Sequence, residues 1–167
     1  MDVLTLIVGA LKFIFPAYCA NAVPVLAGGG APMDFGRNFL DGKRIFGNNK
    51  TWRGFLFGWA IGFLVGLAEG AVFGFIPFTV LFSVLTPLGA LLGDLTGAFI
   101  KRRLDIAPGG LLPVIDQIDF VVGAIVFALP LAVVSLDLAL AVIVLTPPIH
   151  LLTNFAAYKL KLKSNPW

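Results

Sequence analysis

Asp94, Asp116 and Asp119 are the residues of this chain best suited to chemistry, because each places a carboxylate in or beside a long apolar run. An ionisable group within a membrane-length segment is costly and marks function by default. Asp94 precedes Ile100, the last apolar residue of its segment, by six positions, which is about 9 Å at 1.5 Å per residue. Lys101 follows Asp94 at i+7, on the same helix face. Asp116 and Asp119 stand at i and i+3 in the first turn of the next segment, which puts both carboxylates on one face, and Pro113 suits that helix start. Hard oxygen ligands next to cationic side chains suit Mg²⁺ carrying a polyphosphate, since magnesium takes one or two carboxylates and completes its shell with water and substrate oxygens. Asp94, Asp116 and Asp119 are therefore the candidate metal ligands, for one or two Mg²⁺ ions, and with Lys101 they form the candidate catalytic set. Lys101, Arg102 and Arg103 are placed to meet phosphates. The ordinary alternatives are helix-dipole complementation for Asp116 and Asp119 and topology signalling for the basic cluster.

A second donor-rich stretch reads DGKRIFGNNKTWRG over residues 41–54. Gly42 and Gly47 let backbone amides approach an anion closely, and Arg44, Asn48, Asn49, Lys50, Thr51 and Arg53 add donors. The spacing is not that of the phosphate loop GxxxxGK[ST]. The stretch is expected to bind a nucleotide or phosphate; an interfacial loop anchored by Trp52 is the alternative.

The elements that must position these groups are read from where charge is absent. The chain has 167 residues, of which 59% are hydrophobic and 13% charged, against about 25% charged in a soluble domain; its mean hydropathy is +0.97. Lipid is the expected solvent. Of the 12 Lys and Arg residues, all but Lys12 fall within residues 37–53, 101–103 and 159–163. A spanning helix needs about 20 apolar residues, and five windows qualify, at about 3–26, 54–75, 78–100, 114–136 and 138–158. The expected fold is all-α: a single transmembrane domain over 1–167 with five spans and basic loops at 27–53 and 101–113. The connections at Ile76-Pro77 and at 135–137 are short and carry no Lys or Arg. The positive-inside rule then puts both basic loops and the C-terminus in the cytoplasm and the N-terminus outside. Asp2 with no basic region behind it argues against a cleaved signal peptide, so the first segment is expected to stay as a span.

Glycines at 54, 58, 62, 66, 70 and 74, and again at 89, 93 and 97, form small-residue stripes suited to close helix packing. Pro87, Pro130 and Pro147-Pro148 are expected to kink their helices, which would open a lateral groove for a lipid. Cys19 has no partner for an internal disulfide and reads as apolar filler. His150 is expected to make a polar contact to a neighbouring helix; Lys12 and Glu69, both within apolar runs, are a candidate pair. The shared basic face, with a net charge of +3, fits anionic headgroups or nucleotides.

The segment GDLTGAFIKRR at 93–103, followed by Asp116-Gln117-Ile118-Asp119, resembles the C-terminal signature of membrane CDP-diacylglycerol synthases. That family carries an aspartate in a Gly-Asp-Leu element, a Lys-Arg pair and a later Asp-Arg-x-Asp element. NAVPVL at 21–26 and the stretch at 41–54 resemble its archaeal relatives, the CDP-archaeol synthases, and the likeness covers most of the chain. The resemblance implies a CTP-dependent cytidylyltransferase acting on an ether-linked geranylgeranyl glycerol phosphate, with CTP, the isoprenoid lipid and the bilayer as partners and no nucleic acid. A homodimer is left open. It implies that Asp94 and Asp116 hold metal, that Asp119 supports them by ligation or hydrogen bonding, and that Lys101 and Arg102 are the Lys-Arg pair. Two departures are plain: Gln117 stands where the signature has Arg, and Pro108-Gly109-Gly110 stands where bacterial members have His-Gly-Gly. Nucleotide contacts of that segment are not carried over, and residues 41–54 are expected to supply them. Two other classes are set beside this one. CDP-alcohol phosphotransferases begin Asp-Gly-x-x-Ala-Arg, which Asp41-Gly42-Lys43-Arg44 matches only at its start. A small transporter would spread polar residues through the bilayer depth, whereas this chain gathers them at one mouth.

Overall fold

Hydrophobic runs broken by capping residues set the helix boundaries. The computed structural model describes residues 2–74, 79–163, 165 and 166, so the connection expected at Ile76-Pro77 lies outside the described residues. α1 (Val3–Ala27) starts where the Asp2 carboxylate accepts the Thr5 amide at 2.8 Å. α2 (Trp52–Phe73) starts where the Thr51 hydroxyl accepts the Gly54 amide at 3.2 Å. Each cap satisfies an orphan first-turn donor. α3 spans Thr79–Arg103 and ends on Lys101, Arg102 and Arg103, cations placed where the helix dipole is negative. α4 spans Ile115–Ala128 and runs into a 3₁₀ turn at Leu129–Leu131. α5 (Leu136–Lys159) is capped by the Ser135 hydroxyl on the Leu138 amide.

The architecture is all-helical; the only β pairing among the described residues is two isolated bridges, Pro32–Thr51 and Asn38–Arg44. Four helices, α1, α2, α3 and α5, are long and apolar enough to cross a membrane. α4 differs from the expected single helix over 114–136. It has 14 residues, about 21 Å at 1.5 Å per residue, against a hydrocarbon core of about 30 Å. Pro130 lacks the amide that would continue the ladder, so the helix tightens into the 3₁₀ turn and Ala132 enters the left-handed region at φ 54°. Pro130 thus ends a helix rather than kinking one. Pro113 likewise lies ahead of the first turn of α4, not inside it. Pro87, Pro147 and Pro148 do lie within α3 and α5.

α1 is the central element and packs on α2, α3, α4 and α5. The core is built of Phe13, Ile14 and Ala17 of α1, Phe82 and Ala90 of α3, Phe120, Val121 and Ala124 of α4 and Val142 of α5. Large apolar side chains such as Leu56, Phe57, Leu64 and Val144 point outward, the inverted pattern of a helix set in lipid. The glycine stripe of α2 explains the close fit. A Cβ at Gly58 would meet the Ala20 carbonyl at 2.6 Å, one at Gly62 would meet Pro87 Cβ at 2.6 Å, and one at Gly66 would meet Ser83 Oγ at 2.6 Å. The stripe slots α2 between α1 and α3. Gly74 leaves the stripe: it caps the helix at φ 95°, and a Cβ there would meet nothing within 4 Å among the described residues.

Candidate active site

The loop at 28–51 is held in shape by a residue that its sequence does not single out. Asp34, 4% exposed, accepts Arg44 Nη2 at 2.6 Å and Nε at 3.2 Å, and the backbone amides of Gly36, Phe46 and Gly47 at 2.9–3.0 Å. Burial alone would raise the Asp34 pKa, but these bonds outweigh it and hold the carboxyl well below the usual carboxylate range. The same contact holds the Arg44 guanidinium above its ordinary value. Gly47, at φ 97°, adopts a conformation that favours glycine, and a Cβ there would come within 3.0 Å of Arg102 Nη1. The loop is then clamped to the end of α3. Arg103 donates to the Arg44 carbonyl at 2.5 Å, approaches Asp41 at 2.9 Å and lies over the rings of Phe39 and Phe99. Lys43 bonds the Arg103 carbonyl and Asp105.

With the loop so placed, Lys50 reaches Asp94 on α3 and donates to both carboxylate oxygens, at 2.7 and 2.6 Å. Lys101, in the last turn of α3, donates to Asp116 Oδ2 at 2.8 Å, and the same oxygen accepts the Leu112 amide at 2.9 Å. Asp116 therefore fixes the 104–114 loop against α4 as well as pairing with α3. Asp119 follows from helix packing. Gly93 and Gly97 bring α3 so close to α4 that a Cβ at Gly93 would collide with the Asp119 carbonyl oxygen, and one at Gly97 with the Asp119 carboxylate. Arg102 is 8% exposed, and its Nε has no hydrogen-bond partner among the described residues.

These groups line one cavity of about 620 Å³, within the range of small-molecule sites. Of the candidates read from sequence, Asp94, Asp116, Asp119, Lys101, Arg102, Asn48, Asn49, Lys50 and Thr51 line it. Thr51 does so while its hydroxyl caps α2. Arg44 and Arg53 do not line it: Arg44 is committed to Asp34, and Arg53 is exposed on the first turn of α2. Asp41 also lies outside the cavity wall, as the pairing with Arg103 requires. Among the described residues no three acidic, His or Cys side chains are gathered tightly enough to form a ready-made metal cage; Asp94 and Asp116 are each held by a lysine instead.

The wall includes residues that the charge pattern did not mark as site groups: Asn21, Pro24 and Val25 of α1, Gly28–Gly30, Asn154 of α5 and Lys163. Asn21 falls within the NAVPVL segment, which was the only available signal for it. His150 lines the cavity too, packed on the Phe120 ring with Asn154 Nδ2 at 3.2 Å from its ring nitrogen. The interhelix contact is thus aromatic, and the polar partner Asn154 lies one turn on in α5 itself, where a polar contact to a neighbouring helix was expected. Lys12 lies 3.8 Å from the centroid of the Phe73 ring, with no ion pair to Glu69 among the described residues.

The cavity sets cations from the 28–51 loop and α3 against carboxylates from α3 and α4. Such an arrangement can take up a polyanion and its counter-cation. Comparison with known proteins gives the same direction. Residues 3–167 match the family model described as CarS-like, CDP-archaeol synthase. The chain is 47% identical to the CDP-archaeol synthase of Pyrococcus furiosus over 164 residues, covering 96% of this chain and 98% of that one. It is 43% identical to the CDP-archaeol synthase of Methanococcus aeolicus, with 100% of both chains covered. A solved structure of an intramembrane enzyme for archaeal membrane lipid biosynthesis superposes with a TM-score of 0.81 at 37% identity, over 87% of this chain and 92% of that one. With its apolar helices, full-length match and shared fold, the chain belongs to the CDP-archaeol synthase family.

Proposed function

We propose that this protein transfers the cytidylyl group of CTP to an ether-linked isoprenoid glycerol phosphate, forming a CDP-lipid and pyrophosphate. The observation that carries the reading is the convergence of Lys50, Asp94, Lys101, Arg102 and Asp116 on one cavity at the ends of α3 and α4. In the reaction a phosphate oxygen of the lipid attacks the α-phosphorus of CTP. A new P–O bond forms, the α–β anhydride breaks and the electron pair leaves with pyrophosphate. The nucleophile belongs to the substrate, so the protein's work is positioning and charge stabilisation. Lys50, Lys101 and Arg102 bind the triphosphate and offset charge on the leaving group. Asn48 and Asn49 orient it from the loop.

Asp94 and Asp116 fit as holders of Mg²⁺: both are hard oxygen donors on the cavity wall, each in contact with a lysine that an incoming phosphate can take over. Asp119, wedged at Gly97, supports them from α4. When bound, the metal supplies Lewis-acid polarisation of phosphoryl oxygens. Our reading further makes the chain a single transmembrane domain with five spans, α4 and its 3₁₀ turn forming the fourth. The N-terminus is outside, and the cavity faces the cytoplasm, where CTP is. The lipid chains lie along the apolar helices and its phosphate reaches the same mouth.

The test is turnover of labelled CTP by purified protein with Mg²⁺, offering ether and ester lipid phosphates side by side. CDP-lipid and pyrophosphate are expected; a phosphotransferase would instead leave CTP untouched and release CMP only when offered a CDP-lipid with an alcohol acceptor. Asp94→Asn and Asp116→Asn are expected to lose at least a hundredfold in rate, and complete chelation with EDTA to stop the reaction. Turnover that survives chelation unchanged rejects the metal assignment.

A further inference from the structure

The C-terminal tail turns back on α5 and delivers a lysine to the cavity. α5 closes with a helix-reversal motif: the Lys161 amide donates to the Tyr158 carbonyl at 2.9 Å, and the Leu162 amide to the Ala157 carbonyl at 2.9 Å. This is the paired hydrogen-bond pattern in which the residue after the cap is left-handed and usually glycine. Here that residue is Lys161, at φ 60°. A non-glycine residue in this region carries local strain, and strain of this kind is retained where the surrounding structure needs the conformation. The reversal sends Leu162 and Lys163 toward the cavity, and both line its wall. The Lys163 ammonium, half-buried, donates to Asn154 Oδ1 at 2.9 Å. Asn165 Nδ2 lies 3.4 Å from the Gly109 carbonyl, which ties the tail across to the 104–114 loop.

Lys163 therefore joins Lys50, Lys101 and Arg102 on one wall, from a further part of the chain. Burial, and then the Lys50 charge, push its pKa below the ordinary lysine value; Asp116 and Asp94 oppose this, and Lys101 adds to it. Lys50 and Lys101 are paired with Asp94 and Asp116, and a polyanion that takes over these ammonium groups would meet Arg102 and Lys163 in the same cavity. Asn154 Oδ1 accepts one bond from the ammonium, and a phosphate oxygen is a stronger acceptor than an amide oxygen.

We propose that Lys163 is a substrate-binding residue, contacting a phosphate group in the reaction cavity, and that the tail turn at Lys161 positions it. The inference rests on the cytidylyltransferase reading. Both CTP and the lipid carry the phosphate that the ammonium would recognise, so the assay varies the two separately.

Wild type, Lys163→Ala, Lys163→Arg and Lys161→Pro are compared as full-length purified proteins, with KM measured for CTP and for the lipid phosphate. Lys163→Ala is expected to raise one KM by about tenfold or more, the effect of removing a charge-assisted bond, with kcat changed far less. A raised KM for CTP assigns the contact to the triphosphate; a raised KM for the lipid assigns it to the headgroup phosphate. Lys163→Arg is expected to recover most of the loss because it keeps the charge. Lys161→Pro, whose fixed negative φ excludes this turn, is expected to raise the same KM as Lys163→Ala, and unchanged KM values in it would refute the positioning role. Two results overturn the proposal: both KM values within twofold of wild type in Lys163→Ala, or a loss that Lys163→Arg leaves unrepaired. Wild-type protein that makes no CDP-lipid from CTP would instead reject the underlying functional reading, so the two failures are distinct.

Discussion

Replacing Gly97 by alanine separates the role of the glycine stripe in packing from its role in the site. A Cβ at Gly97 would lie 2.9 Å from Asp119 Cγ and 3.2 Å from Asp119 Cβ, so the obstacle is a side chain. At Gly93, one turn earlier, the obstacles are backbone: Asp119 C at 3.0 Å and Phe120 Cα at 3.1 Å, besides the Asp119 carbonyl oxygen. Overpacking a tight contact costs about 1–3 kcal/mol, and glycine to alanine within a helix returns about 1 kcal/mol. Gly97→Ala should therefore lose about 0–2 kcal/mol, because Asp119 can rotate away, while losing activity as its carboxylate leaves the wall. Gly93→Ala should sit at or beyond the upper end of the overpacking range, because α3 and α4 must separate. Stability is read by reversible unfolding in mixed detergent micelles and activity by CDP-lipid formation. The decisive measurement is the cycle with Asp119→Ala, which empties the space at Gly97. In that background Gly97→Ala should cost nothing or stabilise, while Gly93→Ala should cost as much as before. Equal penalties for Gly97→Ala in both backgrounds would refute the claim that Asp119 is what this glycine accommodates.

Lys50→Ala and Arg53→Ala should diverge, although both residues sit in one donor-rich stretch. Lys50 lines the cavity and Arg53 is exposed outside it. Steady-state kinetics should show at least a tenfold fall in kcat/KM for Lys50→Ala and a change within threefold for Arg53→Ala; similar losses in both would contradict the placement. Asp34→Asn should loosen the 28–51 loop, costing about 1.5–3 kcal/mol for the loss of bonds to a charged acceptor, with limited proteolysis inside the loop as the readout. The Asp34 pKa is lower folded than unfolded, so its contribution is complete above the unfolded carboxylate value of about 4 and fades as pH falls toward the folded value. The gap in loop protection between wild type and Asp34→Asn should therefore narrow below about pH 4, and a gap that widens on acidification would contradict the sign.

The sequence made Asp94, Lys101 and Asp116 visible because a charge set in or beside an apolar run is costly unless a site uses it. It also set the all-helical class and four of the five expected spans, α1, α2, α3 and α5, since apolar length is a property of composition alone. Side-chain direction is not. Arg44 and Arg53 share a stretch with Lys50, yet only the fold decides that one is consumed by Asp34 and the other faces outward. Asp34 itself reads as an ordinary turn residue; its importance comes from amides up to thirteen positions away. Lys163 reads as part of a topology signal, and only the reversal at Lys161 turns it inward. The break at Pro130 was legible as a proline. Its outcome, a helix ended in a 3₁₀ turn, depended on the left-handed step at Ala132.

The lysine–carboxylate pairs also determine how the cavity should meet its ligands. Lys50 with Asp94 and Lys101 with Asp116 are each half-buried, with side-chain exposures of 28%/24% and 14%/19%. Separating such a pair without replacement leaves two partly desolvated charges, a larger loss than any exposed ion pair gives. On the proposed function, a nucleotide arriving with its divalent cation would replace both partners at once, phosphate oxygens for the carboxylates at the lysines and the cation for the lysines at the carboxylates. A bare nucleotide or a bare cation would replace only one side of each pair and leave the other charge exposed to its like neighbours. Binding by exchange would therefore favour the cation–nucleotide complex over either component, and nucleotide affinity measured with and without the divalent cation checks it.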